Sequence, residues 1–150
     1  RSPTRGRGIA FLHGGGVVVA GNTAFDRSGG NLWPVPLEPA GLAAAGDDAL
    51  VAWDGHQVVL QEARSGQLLL RADLNVPGAS ITRVVPSPDG RLLAVVGSNP
   101  DGDSVVWVMD RSGRILWTER FRETPTGMAF AGDQLVIMLP HKVKFRTIPQ

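Results

Sequence analysis

A short polar segment in the middle of the chain has the residue types of a cation site. Asn99, Asp101 and Asp103 place side-chain oxygens at alternate positions of Asn-Pro-Asp-Gly-Asp-Ser. Ca²⁺ is a hard cation that prefers such oxygen ligands, but no glutamate closes the segment as in an EF-hand loop. The same residue types favour turns. A polar hairpin tip is therefore the simpler interpretation, with Ca²⁺ as the weaker alternative and no other cofactor predicted.

Three histidines, His13, His56 and His141, are the other candidates for metal ligation, because imidazole nitrogens bind zinc-type metals. Each histidine stands beside turn residues. In the strand assignment given below, the first follows a first strand, the second begins a third strand and the third precedes a third strand. These positions place the histidines at different levels of the fold, which favours scattered surface histidines.

The signatures of nucleophilic catalysis and of phosphate binding are missing from this sequence. Gly14-Gly15-Gly16 lacks the lysine and the following helix of a P-loop, so a tight turn is the better interpretation. The chain contains no cysteine and no Gly-x-Ser-x-Gly. We therefore predict no catalytic residues and a non-catalytic protein.

Short apolar strands, each entered from a glycine- or aspartate-containing turn, dominate the sequence. Four of them begin at Val17, Leu50, Leu92 and Leu135, which are 33, 42 and 43 residues apart. A period of about 40 residues is typical of four-stranded propeller blades. These second strands are almost entirely apolar, so we expect adjacent units to cover each of them on both faces.

A second repeated signal follows the first three of these apolar strands. It is Arg-Ser-Gly at Arg27–Gly29, Arg64–Gly66 and Arg111–Gly113, each followed by another apolar strand. Serine and a preceding acidic residue can bond the turn backbone, and glycine adopts positive φ there. The pattern predicts the same tight hairpin in three units.

The repeats predict an all-β chain of four-stranded antiparallel blades, about 3.75 in number, forming a partial or four-bladed ring. Residues 1–8 are assigned to an N-terminal extension and residues 9–150 to the propeller-like domain. The predicted blades cover approximately residues 9–37, 41–75, 80–121 and 125–150.

Two segments resemble the β-propeller superfamily. Ser87–Val95 is similar to the blade signature of WD-repeat-like and TolB-like propellers, and Asp110–Trp117 is similar to that of quinoprotein-like (PQQ-like) propellers. Asp26–Trp33 is a looser copy of the second of these segments. No unit carries the Gly-His and Trp-Asp marks at the places they have in WD repeats, and Trp53-Asp54 is a lone dipeptide at a different point in its blade. Trp33 and Trp117 occupy equivalent repeat positions, which indicates packing between blades rather than stacking on a cofactor.

The resemblance implies a ring of blades around a central channel, with loops that bind partners. Many members of the superfamily are scaffolds, and others carry quinone cofactors or hydrolytic sites. We therefore expect a protein-interaction or scaffold module, as a subunit or fragment of a larger assembly. The alternatives are a fragment of a catalytic quinoprotein-like or TolB-like enzyme and a small lectin-like, ligand-binding propeller.

Charge and hydropathy narrow the classes of partner. The formal net charge is +1, which argues against nucleic acid as a partner. The basic residues concentrate near the two ends, at Arg1, Arg5 and Arg7 and at Lys142, Lys144 and Arg146. We expect protein partners, no membrane span, and a homo- or hetero-oligomer that completes the propeller. A soluble protein in the cytoplasm or outside it fits equally.

Overall fold

The computed structural model describes residues 8–74 and 80–149. These residues form four antiparallel sheets, and a single 3-10 turn at His13–Gly15 is their only helical element. The N-terminal arginines Arg1, Arg5 and Arg7 lie outside the described residues. Within them, no helix has the length and apolarity that crossing a bilayer would require.

Each sheet is one blade, and its strands are hydrogen-bonded in chain order. Blade one comprises β1 (Ile9–Leu12), β2 (Val17–Ala20), β3 (Thr23–Asp26) and β4 (Asn31–Pro34). Blade two comprises β5 (Gly41–Ala45), β6 (Ala49–Trp53), β7 (Gln57–Glu62) and β8 (Leu68–Asp73). Blade three comprises β9 (Ser80–Pro86), β10 (Leu92–Ser98), β11 (Ser104–Asp110) and β12 (Ile115–Phe121). Blade four comprises β13 (Gly127–Ala131), β14 (Gln134–Leu139) and β15 (Lys142–Thr147). The fold is therefore a partial β-propeller of about 3.75 blades.

The blades repeat one another in fine detail. The pairing between the third and fourth strands shifts register at Ala24/Phe25, at Leu60/Gln61 and at Val108/Met109. In each blade this irregularity lies just before the predicted hairpin. The outer (fourth) strands of blades one to three therefore share one irregularity next to their hairpins. A β-bulge of this kind increases strand twist locally.

Three hydrophobic cores lie between neighbouring blades, because alternate residues of each strand face opposite blades. The largest buried side chains of these layers include Leu12, Leu50, Leu60, Leu93 and Ile137. One core joins blades one and two, the second joins blades two and three, and the third joins blades three and four. The stability of the arc therefore comes mainly from face-to-face packing of sheets.

The second strands are covered on both faces only in the two inner blades. Every residue of β6 is buried, and so is every residue of β10 except its last. In β2 and β14 buried residues alternate with more exposed ones. The prediction of two-sided cover is thus wrong for the terminal blades, because each has a neighbouring blade on one side only.

Because successive strands of each blade are antiparallel, the connections between them alternate between two edges of the arc. The turns between first and second strands share one edge with the hairpins between third and fourth strands, and we call this the hairpin edge. The turns between second and third strands lie at the opposite edge. Residues that meet at the hairpin edge can therefore come from different blades.

Candidate protein-interaction surfaces

A carboxylate closes each of the three Arg-Ser-Gly hairpins. The Ser28 hydroxyl donates to the Asp26 carboxylate at 2.7 Å, and the Ser112 hydroxyl donates to Asp110 at 2.6 Å. These serine hydrogen bonds are the main reason that the pKa of each of the two aspartates lies below its usual value. Gly29 and Gly113 have φ of 90° and 88°, the left-handed region that glycine favours.

The second hairpin differs from the other two by one residue. Its carboxylate is Glu62, which accepts from the Ser65 hydroxyl at 2.8 Å, while Ala63 is inserted before the arginine. The Ser65 backbone N–H is the main cause of the lowered pKa of Glu62. The insertion leaves the Ala63 carbonyl available to a neighbouring blade.

Arg111 connects two blades at the hairpin edge. Its guanidinium donates to the Gly90 carbonyl of its own blade at 2.7 Å and to the Ala45 carbonyl of blade two at 3.1 Å. It also pairs with the Asp48 carboxylate at 2.8 Å, and this hydrogen bond holds the pKa of Asp48 below its ordinary value. The planar guanidinium supplies several donors in a fixed geometry, so a single side chain clamps two turns together.

The hairpins of blades two and three each contact a large side chain from the outer strand of the preceding blade. Trp33 of blade one packs on Gly66, where an added Cβ would lie 2.3 Å from the Trp33 ring, and its Nε1 donates to the Ala63 carbonyl at 3.0 Å. Leu70 of blade two lies against Gly113 in the equivalent way. The two glycines are thus required for space as well as for φ.

The hairpin of blade one has no such neighbour among residues 8–74 and 80–149. A Cβ built on Gly29 meets no atom within 4 Å. Arg27 is exposed, and no hydrogen bond or ion pair of its side chain is found within those ranges. Within the described residues, the hairpin of blade one thus has the same turn without a neighbouring side chain packed on it.

A cleft of about 550 Å³ opens at the same edge between blades three and four. Its walls are the two turns between first and second strands, and it is lined by Ser87, Pro88, Asp89, Arg91, Leu92, Gly132 and Asp133. At the preceding junction Arg111 occupies the equivalent position between two such turns.

The two end faces of the arc carry exposed apolar side chains. On blade one, Ile9 and Phe11 are 61% and 65% exposed. On blade four, Met138, Val143 and Phe145 share the outer face and are 51%, 50% and 59% exposed. In the inner blades the equivalent faces are covered by a neighbour, so the end faces are unfinished blade interfaces.

Two basic residues of β15, Lys144 and Arg146, contact the neighbouring blade three. Arg146 pairs through two nitrogens with Glu119, at 2.7 and 3.1 Å, and this contact lowers the pKa of Glu119. Lys144 Nζ lies 5.5 Å from the centre of the Phe121 ring. Lys142 is exposed at the start of the strand.

The predicted cation segment forms the turn between β10 and β11. The Asn99 N–H donates to the Asp103 carbonyl at 2.8 Å, and the Asp101 carboxylate accepts from the Asp103 N–H at 3.0 Å. Arg120 lies 3.2 Å from the Asp103 carboxylate and 4.0 Å from that of Asp101. Ca²⁺ at this turn stays a prediction.

The histidines lie in connections of three different blades. His13 belongs to the 3-10 turn at the hairpin edge, whereas His56 and His141 lie in turns at the opposite edge. His56 comes just before β7, and the prediction that it begins that strand is wrong by one residue. Across the described part of the chain, no group of three metal-ligating side chains converges.

The arginine clamp was not predicted from the sequence. The repeated Arg-Ser-Gly signal pointed to the turn itself, and serine and glycine explain the turn without the arginine. The signal for the clamp was the arginine recurring in all three hairpins, with aspartates in the turn of the preceding unit. Asp48 lies 63 residues from Arg111, so their contact depends on the packing of blades.

Comparisons with known proteins agree with this architecture. Residues 14–145 match a family model described as outer membrane protein assembly factor BamB. The structure of BamB from Moraxella catarrhalis superposes with a TM-score of 0.63 at 16% identity, over 93% of this chain and 46% of that one. The C-terminal WD40 domain of Sif2 superposes with a TM-score of 0.68 at 15% identity, over 95% of this chain and 45% of that one.

A third structure, the β-propeller domain of Cps50 (Swd1) from Myceliophteria thermophila, gives a TM-score of 0.61 at 14% identity. It is matched over 95% of this chain and 52% of its own. A search of curated protein sequences finds no match. The chain thus spans about half the length of the solved chains that it resembles. Because the family model covers most of its residues, the chain belongs to the family described as outer membrane protein assembly factor BamB.

Proposed function

We propose that this chain is a non-catalytic, protein-binding part of an assembly factor of the BamB type. In that role it holds a partner protein during the assembly of outer membrane proteins, as the family description implies. The observation that carries the proposal is the open cleft between blades three and four. It offers both apolar wall and hydrogen-bonding groups at the edge where the blades already bind one another's hairpins.

The chemistry of the cleft selects the kind of partner group. Asp89 and Asp133 place carboxylates on its two opposite turns, and Pro88 and Leu92 supply apolar surface. The arrangement around Arg111 illustrates how such a gap is filled, with a guanidinium bonded to two turns. We infer that the partner inserts an arginine from a loop or hairpin, because a planar guanidinium suits carbonyl and carboxylate acceptors together.

Site-specific photocrosslinking in the native host tests this proposal. A photoreactive amino acid replaces Arg91, which is exposed at the cleft, or Arg71, which is exposed on the outer strand of blade two. We expect a discrete adduct with another envelope protein from position 91 and none from position 71. Asp89→Lys should lower the yield of that adduct severalfold.

Two results would contradict the proposal. The first is equal adducts from positions 91 and 71, which would indicate random proximity. The second is the absence of any adduct from position 91 while the chain is present in the same fraction. Mass spectrometry of the adduct identifies the partner and separates a foreign protein from a second copy of this chain.

A further inference from the structure

We propose that the edge opposite the hairpin edge, at the junction of blades three and four, binds an acidic segment of a partner protein and that Arg83 holds one of its carboxylates. This surface offers cations, whereas the cleft at the hairpin edge offers carboxylates. The two surfaces are separate, and neither requires the other. Two neighbouring pockets form it, and they share one linker, residues 122–126, between β12 and β13.

A β-bulge distinguishes the strand that carries Arg83. The pairing of β9 with β10 shifts register between Val96 and Gly97, so Thr82 is left as an extra residue. Over the described residues, the first strands of the other three blades pair without such a shift. Side chains alternate along a regular strand, but a bulge changes their direction. As a result Thr82 and Arg83 are adjacent in the chain and both exposed.

The bulge places these two side chains at a pocket of about 170 Å³ between the first strands of blades three and four. The pocket is lined by Thr82, Arg83, Val96, Thr124, Pro125 and Met128. Arg83 makes no hydrogen bond or ion pair with any residue in 8–74 or 80–149, so its donors are available to a ligand. Sites for whole small molecules usually measure about 300–1,000 Å³. This smaller pocket therefore suits a single side chain.

A second pocket, of about 300 Å³, adjoins the same linker between the outer strand of blade three and β15. Its charged lining residues are Arg120, Arg122, Glu123, Lys142 and Lys144. Arg120 and Lys144 already contact groups of blade three. Arg122 and Lys142 are exposed, and neither has an ion pair within the described ranges. The outer pocket thus has two further cations that a ligand could neutralise.

One short peptide segment can reach both pockets. Arg122 of the outer pocket and Thr124 of the inner one are two residues apart, a distance of at most about 7 Å along the chain. Arg83, Arg122 and Lys142 therefore surround one linker in a chain whose formal net charge is only +1. Such a local excess of positive charge attracts an acidic partner.

A carboxylate is the group that fits the inner pocket. A guanidinium binds a carboxylate through two parallel hydrogen bonds, and the Arg83 guanidinium has its donors free. The Thr124 hydroxyl can contribute a further polar contact, and Pro125 and Met128 supply apolar surface for the methylene groups of an acidic side chain. We therefore expect a glutamate or aspartate of the partner at this position.

Fluorescence anisotropy with a labelled acidic peptide tests the proposal. The probe is a hexapeptide with blocked ends and several glutamates, titrated with the full chain at about 50 mM salt, where surface charges are only partly screened. We expect saturable binding with a Kd below about 1 mM, and no binding of the same peptide with glutamine in place of glutamate. Arg83→Gln should raise the Kd by about tenfold. Arg83→Lys should recover only part of the affinity, because lysine cannot form the paired hydrogen bonds.

Arg114→Gln is the matched control, since it removes the same charge from an exposed arginine at the hairpin edge. It should change the Kd by less than about twofold. Circular dichroism verifies that each variant is folded. Equal weakening by Arg83→Gln and Arg114→Gln would indicate attraction by net charge alone and would overturn the proposal.

Two further results would also overturn it. One is the absence of peptide binding up to about 1 mM protein. The other is tighter binding of a single-stranded oligonucleotide of the same charge, which would assign the surface to phosphates. None of these measurements involves the crosslink from position 91, so the proposed function and the acidic-peptide site can fail separately.

Discussion

The hairpins of blades three and one have almost the same residues and very different surroundings. In blade three, Arg111 binds two neighbouring turns and Gly113 supports Leu70. In blade one, Arg27 and Gly29 meet solvent. The local sequence therefore sets the shape of the turn, and the neighbouring blade decides whether the turn contributes to stability or offers a surface for binding.

The comparison extends from the hairpins to whole blades. Side chains in the core between blades two and three are almost completely buried, whereas the outer faces of blades one and four are open. Both kinds of face use the same strand order and similar residues. A partial propeller thus has a stable middle and two ends on which exposed apolar surface persists.

The largest expected effect comes from removing a side chain in the inner core. Leu93 is fully buried between blades, so Leu93→Ala should lower the free energy of unfolding by about 2–5 kcal/mol. Leu68 is 43% exposed on the outer strand of blade two, and Leu68→Ala should cost less than about 1 kcal/mol. Urea denaturation measures both, and similar losses for the two variants would contradict the distinction between inner core and surface.

The second test concerns the close approach of blades two and three at Gly90. A Cβ there would lie 2.5 Å from the backbone carbonyl of Ala45, which cannot move aside as a side chain can. Gly102 has a similar positive φ, 92° against 73°, but a Cβ there has open space among the described residues. Gly102→Ala should cost about 1–2 kcal/mol from φ alone.

Gly90→Ala should therefore cost more than Gly102→Ala, by about another 1–3 kcal/mol, because the added methyl group separates two turns. Thermal denaturation of the two variants gives the difference directly. Equal melting temperatures would indicate that the blades part at this point without cost, and that the close contact is not a constraint.

Much of this architecture could be predicted from the sequence, because its signals are local. The turn glycines, the apolar second strands and the repeated Arg-Ser-Gly each act within a few residues, and together they predicted four blades. The open end faces could not be read in this way. Phe11 and Val95 both belong to apolar strands, yet the first is exposed and the second fully buried. Only the position of a blade in the arc separates them.

The contacts of Arg111 could not be predicted from the sequence for a related reason. Arg27 and Arg111 are equivalent in sequence, but among the residues that the structure describes only Arg111 has acceptors within reach. The long separation of Arg111 from Asp48 and Ala45 leaves no local pattern that would distinguish it. Trp33 was easier to interpret, since its repeat position already indicated packing between blades.

The third prediction tests whether the clamp stabilises the junction. Arg111→Lys keeps the charge but cannot span two carbonyls and a carboxylate at once, so it should cost about 1–2 kcal/mol. Arg114 lies in the same hairpin and is exposed, so Arg114→Lys serves as the matched control and should change stability by less than about 0.5 kcal/mol. Urea denaturation at neutral pH measures the free energy of unfolding. An Arg111→Lys variant as stable as the wild type would show that the clamp contributes nothing to stability.

The smallest expected effect isolates the ionic part of the clamp by its pH dependence. The Arg111 hydrogen bond lowers the pKa of Asp48 in the folded chain. A carboxyl group with a lowered folded-state pKa stabilises the fold above its unfolded-state pKa, and this contribution disappears as the pH falls through the folded-state value.

Because Asp48 is largely exposed, Asp48→Asn should cost roughly 0–1 kcal/mol at pH 7. The difference from wild type should shrink as the pH falls below the ordinary aspartate value of 3.8, and it should vanish only where the folded-state carboxyl is protonated as well. Asp73→Asn, on the exposed side of β8, controls for loss of negative charge. If the wild-type advantage over Asp48→Asn instead grew on acidification, the ion pair would not be its source. The junction would then depend on the hydrogen bonds from the Arg111 guanidinium to the Gly90 and Ala45 carbonyls.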